Sequence, residues 1–218
     1  MSGTSSGCVS SQTTQVIVTP LPTITVNSST ICSGQSATLV ASGAVSYTWN
    51  TGATTSSIVV SPLSNTTYTV SGGVVGCTDT KTTQVIVNPN PTITVNSSTI
   101  CSGQSATLVA SGASSYTWNT GANTNSIVVS PMSSTNYTVN GTSSGCVSSQ
   151  TTQVIVTPLP TITVNSSTIC SGQSATLIAS GAVSYTWNTG ALTSSIVVSP
   201  SSTSIYTVVG QINGCLDT

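Results

Sequence analysis

The sequence predicts an all-β protein, a tandem of antiparallel β-sandwiches arranged end to end, and three observations carry that prediction. A 69-residue unit recurs almost unchanged: PTITVNSSTICSGQSATLVASGA starts at Pro22 and at Pro91, and again, with Ile178 in place of Val, at Pro160. Apolar residues alternate with polar ones in short runs separated by Gly, Pro, Ser and Asn clusters, the mark of many short strands and turns. No stretch has helical periodicity. Residues 22–90 and 91–159 differ at 16 of 69 positions, mostly in segments that read as loops, such as Gly73-Val74-Val75 against Thr142-Ser143-Ser144. Fold and function are therefore read per repeat.

In the second unit, residues 92–95 (TITV) form the first expected strand, and 105–110 the second, with Ala106 and Leu108 on one face. Residues 115–118 form the third, and Asn119-Thr120-Gly121 is turn chemistry. Residues 125–129 and 135–140 follow, and after a corner at Gly145-Cys146 the run TTQVIV (151–156) supplies the last strand. Six or seven short strands in so small a unit favour a sandwich of immunoglobulin type over a barrel or a parallel solenoid. Pro20-Leu21-Pro22, Pro89-Asn90-Pro91 and Pro158-Leu159-Pro160 read as short, stiff linkers, because alternate prolines restrict φ and remove backbone donors. The expected organisation is residues 1–21 as the last strand of a preceding repeat plus linker, then repeats at 22–90 and 91–159, and at 160–218 a repeat lacking its last strand.

The seven cysteines, Cys8, Cys32, Cys77, Cys101, Cys146, Cys170 and Cys215, alternate spacings of 24 and 45. The favoured pairing keeps both partners inside one unit, as Cys32–Cys77, Cys101–Cys146 and Cys170–Cys215, and leaves Cys8 unpaired in this chain. The rival pairing runs across the 24-residue spacing and brackets the linkers. Closing a loop of 45 residues stabilises by roughly 4 kcal/mol on the chain-entropy account, and disulfides at this density point to an oxidising, extracellular compartment.

Composition excludes whole classes of function. The chain has two acidic residues, Asp79 and Asp217, one basic residue, Lys81, and no Arg, Glu, His or Phe, where an average protein is about a quarter charged. Nucleic-acid binding and polybasic membrane contact both need Lys and Arg, so neither is expected. An enzyme would need a base beside a nucleophile, and a metal site would need His, thiolate or several carboxylates; none is expected here, and no cofactor. Ser and Thr make up 85 of 218 residues, yet the regular apolar spacing argues for a folded chain. No window approaches the roughly 20 apolar residues of a membrane span. The N-terminal residues show no secretory leader, so the export signal is expected to lie outside this segment.

Trp49, Trp118 and Trp187, one per unit on an expected strand, read as core residues packed on the disulfide. The other reading makes them an exposed sugar-stacking row, and the protein an array of carbohydrate-binding modules.

The runs YTWNTGA, SIVVSP, YTV, GC and QVIV-x-P-x-P, in that order in each unit as far as it extends, resemble the immunoglobulin-like or PKD-like repeats of very large Bacteroidetes surface proteins, such as gliding-motility-type adhesins and surface filaments. The resemblance implies a secreted protein of the bacterial cell surface, acting in adhesion or as a surface appendage. It does not carry over what such a protein adheres to; surface glycans or other cells are the further partners expected.

Residues 3–22 match 141–160, and the third unit stops before its TTQVIV strand. Either the chain is a segment of a longer covalent array, or the strand Thr13, Thr14, Gln15, Val16, Ile17, Val18 of one copy fills the empty last-strand slot of another. In both cases the partner is the protein itself.

Overall fold

The computed structural model describes residues 2–5 and 7–218. All regular structure among them is β, in two compact units, Met1–Asn90 and Pro91–Thr218. The first unit holds a hairpin, Ser2–Ser5 with Cys8–Ser11, and one sandwich; the second holds two sandwiches.

The sandwich over residues 91–159 sets the pattern. One layer is Thr94–Val95, Ala106–Ser111 and Ser126–Val129; the other runs in the order Ser98–Cys101, Cys146–Thr157, Thr135–Ser143 and Ser115–Trp118. All pairs are antiparallel except Ser98–Cys101, which lies parallel to the end of Cys146–Thr157. This two-sheet order is that of an immunoglobulin-type sandwich. Strict alternation makes the layers: in Ala106–Ser111, Ala106, Leu108 and Ala110 are buried while Thr107, Val109 and Ser111 face water. Leu108, Trp118, Tyr137, Val139 and Val154 meet between the sheets.

Two elements differ from the sequence expectation. Ser98–Cys101 is a strand, although the run of hydroxyls before Ile100 carries no apolar alternation to announce it. The expected corner at Gly145-Cys146 is a tight hairpin: Ser144 (φ 50°) and Gly145 (φ 78°) both take left-handed backbone, the two-residue turn that matches the twist of long paired strands. The strands on either side consequently run nine and twelve residues.

Side chains close the sheet edges in each repeat. Asn96 accepts from Val109 N at 2.6 Å and donates to the Thr107 carbonyl at 3.0 Å, acting as a short extra rung on that strand. Asn27 and Asn165 repeat the arrangement. The Tyr116 hydroxyl accepts from Ala113 N and donates to Ala113 O, both at 2.9 Å, pinning the turn that precedes its strand.

That turn depends on Gly112, whose φ of +96° would be strained for any other residue and whose added Cβ would meet the Thr92 carbonyl. Gly121, at φ +88°, has open space around its Cβ position. Gly112→Ala is expected to destabilise the second sandwich by roughly 3 kcal/mol, combining left-handed strain with a backbone clash. Gly121→Ala carries the strain alone and should cost about 1 kcal/mol. Denaturant unfolding of the two variants, followed through tryptophan fluorescence, checks the order.

Candidate functional site

With almost no charge to work with, the chemistry of this chain resides in its cysteines and in the strands at the repeat junctions. The second unit contains one complete junction, between the sandwiches of residues 91–159 and 160–218. Thr157 ends the last strand of the first of these, and its carbonyl accepts from Ser102 N at 2.9 Å. Cys101 pairs with Thr157 in parallel register. Thr157 is buried, and the Pro160 side chain is among the most fully buried in the chain.

Across this junction Cys101 is bonded to Cys215, with a Cα–Cα distance of 5.5 Å and a sequence separation of 114. The Cys215 sulfur lies 4.0 Å from the Thr157 carbonyl oxygen and is buried. The bond therefore joins one sandwich to the next, beside the peptide linker.

This overturns the expected pairing of Cys101 with Cys146 and of Cys170 with Cys215. The reason lies in strand register. Cys146 is the first and Thr157 the last residue of one twelve-residue strand, so at about 3.3 Å per residue they stand roughly 35 Å apart. Cys101 lies opposite Thr157, and so a sandwich's length from Cys146, whereas bonded cysteines need Cα atoms about 6 Å apart. Cys32 and Cys146 are disulfide-bonded as well. Cys77 and Cys170, both expected to be bonded, carry free thiols, Cys77 half-buried and Cys170 exposed. The side chain of Cys8 lies outside the described residues.

Trp49, Trp118 and Trp187 lie in the three cores, each 2% exposed. They do not pack on an intrasandwich disulfide, since Cys101 is bonded across the junction. Instead each indole N–H donates to a loop carbonyl, Trp118 to Thr124 at 2.9 Å, with Thr55 and Thr193 in the equivalent places.

Thr13, Thr14, Gln15, Val16, Ile17 and Val18 belong to no strand in this chain. Val16, Ile17 and Val18 are 82%, 81% and 85% exposed, whereas Val85 and Val154, which repeat Val16, are fully buried. The third sandwich shows the complementary feature. Residues 167–170 and 204–207 correspond to the two strands that flank the end of Cys146–Thr157, and both are irregular. Between them runs an open groove of about 640 Å³, lined by Val164, Ile169, Leu177, Val198 and Tyr206. Tyr206 is half-buried there, while Tyr137 in the filled second sandwich is buried.

No group of three or more His, Cys, Asp or Glu suited to a metal ion occurs among the described residues. A second depression of about 660 Å³, on the first sandwich, is lined by uncharged residues including Ser33, Asn65 and Pro89. Among the described residues no helix is long and apolar enough to cross a membrane.

The sequence matches no protein-family description and no curated protein. Its structure is similar to titin domains I67–I69 (13% identity, TM-score 0.47, 91% of this chain and 98% of that one). It is also similar to three N-terminal domains of the bacteriophage RB49 Hoc outer capsid protein (14%, 0.35, 90% and 94%) and to Sidekick-1 immunoglobulin domains 1–5 (13%, 0.34, 90% and 57%). The strand order of the sheets makes this chain a tandem of immunoglobulin-like sandwiches.

Maleimide labelling of the non-reduced protein, read by peptide mass, is expected to modify Cys170 quickly and Cys77 more slowly, because the second thiol is half covered. Cys101 and Cys215 should take label only after reduction. Rapid labelling of Cys215 without reductant would contradict the observed junction.

Proposed function

We propose that this chain is part of an extracellular structural protein, a rod or filament of disulfide-bonded immunoglobulin-like repeats that serves as a surface appendage or adhesin of a bacterial cell. The observation that carries the reading is the Cys101–Cys215 bond. A disulfide inside one domain stabilises that domain, whereas one that links neighbours gives tension a second covalent path past the linker. That is of use to an array that must hold its shape outside the cell. The bacterial surface location rests on the resemblance of the repeat runs to Bacteroidetes surface proteins, and the oxidised cysteines fit an extracellular setting.

The partner in this reading is the protein itself, as flanking repeats of one longer array or as separate copies joined end to end. In the second arrangement residues 13–18 of one copy add as the last strand in the groove of another copy's third sandwich, placing Val16 where Val154 is buried in the second sandwich and Val18 where Val156 is half-buried. Moving Val16 fully and Val18 partly out of water is worth roughly 2–4 kcal/mol before ordering costs. Surface glycans or other cells are the further partners of such an appendage. The alternative, an array of carbohydrate-binding modules built on the tryptophans, is not favoured, since the three indoles are buried and offer no face to a sugar.

The double variant Val16→Asp/Val18→Asp tests the strand. Electron microscopy and sedimentation of the parent chain should show end-to-end polymers, and the variant should remain a folded single chain. Polymers of undiminished length from the variant would remove the strand from the assembly.

A further inference from the structure

Resting on that reading, we infer that Cys170 and Cys77 are the two halves of one unformed junction disulfide, so that joining two copies leads to a Cys170–Cys77 bond between them. The formed junction supplies the template. Cys101 is placed by its parallel pairing and by the turn after it, in which Gln104 N donates to the Cys101 carbonyl at 3.0 Å. Gln173 N donates to the Cys170 carbonyl at the same 3.0 Å, so the turn behind the free thiol is already built. Cys215, the other partner, is held with its sulfur 4.0 Å from the carbonyl of the linker residue Thr157. Cys77 stands likewise, its S–H directed at the carbonyl of Thr19 at 3.7 Å, and Thr19 is Thr157 two repeats earlier. Each free cysteine thus shares part of the setting of a bonded one: Cys170 has the turn that follows Cys101 and gains the parallel pairing when the strand docks, and Cys77 has the linker carbonyl that faces Cys215.

The register agrees. When Thr13–Val18 of a second copy continues the third sandwich, the 69-residue period places that copy's Cys77 114 positions beyond Cys170, the separation of Cys101 and Cys215. The second copy's first sandwich then follows the third as the third follows the second. Formation of the bond removes two hydrogens, two protons and two electrons, from the thiols. The acceptor is a disulfide oxidant: a thiolate of Cys77 or Cys170 attacks it, the other thiolate resolves the mixed disulfide, and the oxidant leaves as two thiols. The free pair acts as a covalent latch that closes only after the strand has docked and only in an oxidising compartment.

The experiment uses the full chain, with oxidised glutathione as the oxidant. Non-reducing electrophoresis is expected to show a ladder at multiples of 21.7 kDa that collapses on reduction, with a Cys77–Cys170 peptide in the digest. On a Cys8→Ser background, Cys77→Ser alone and Cys170→Ser alone should each lose the ladder, while their mixture should stop at the dimer. Dimers within either single variant, or a digest with only Cys77–Cys77 or Cys170–Cys170 peptides, would overturn the inference. So would long filaments in the microscope without the Cys77–Cys170 bond, although the array reading would then stand. If neither filaments nor bond form, both readings fall.

Discussion

The parallel pairing of Ser98–Cys101 with the end of Cys146–Thr157 is the constraint on which the rest of the structure depends. It closes the sandwich edge, and it sets Cys101 against Thr157 at the exit of the domain, about as far as the fold allows from Cys146. A strand of twelve residues cannot bring its two ends to one place. The two cysteines of the repeat at 91–159 therefore stand at opposite ends of it, and Cys101 finds its partner in the next sandwich.

Cohesion comes from the same arrangement. The chain cannot use charge, since Asp79, Asp217 and Lys81 are its only ionised side chains, and several carboxylates would be needed to hold calcium. Backbone pairing, apolar burial and sulfur hold the sandwiches together instead. Within a sandwich, Leu108, Val139 and Val154 are fully buried around Trp118, and the Asn96 and Tyr116 hydrogen bonds hold the edges. At the junction of the sandwiches at 91–159 and 160–218, Thr157 and Pro160 are buried and the Cys101–Cys215 bond adds a covalent link. In the third sandwich residues 167–170 and 204–207 have no regular pairing, and Leu177 is 9% exposed where Leu39 and Leu108 are completely buried.

The fold was legible because its signals are local. Alternation in ATLVAS and SIVVSP names the inner faces of strands, NTG marks a turn, and one buried-looking Trp per unit marks a core. Ser98–Cys101 was not legible, because a strand whose outward residues are Ser and Thr looks like loop until a neighbour supplies its hydrogen bonds. Cysteine pairing was illegible for a different reason. In a chain of period 69, a partner 45 residues away and one 114 residues away occupy equivalent positions in the repeat, and spacing alone cannot separate them. Only the register of one long strand decides. Gly112, whose turn anchors each first strand, was likewise hidden among other glycines, since its demand comes from the Thr92 carbonyl and not from its own neighbours in sequence.

The Cys101–Cys215 disulfide, which runs from one sandwich to the next, is the central feature of this molecule, and a peptide map of the non-reduced protein addresses it most directly. Digestion followed by mass spectrometry is predicted to yield the Cys101 peptide joined to the Cys215 peptide, with the link lost on reduction. Recovery of Cys101 joined to Cys146, or of Cys170 joined to Cys215, would place the bonds inside single repeats and contradict the junction.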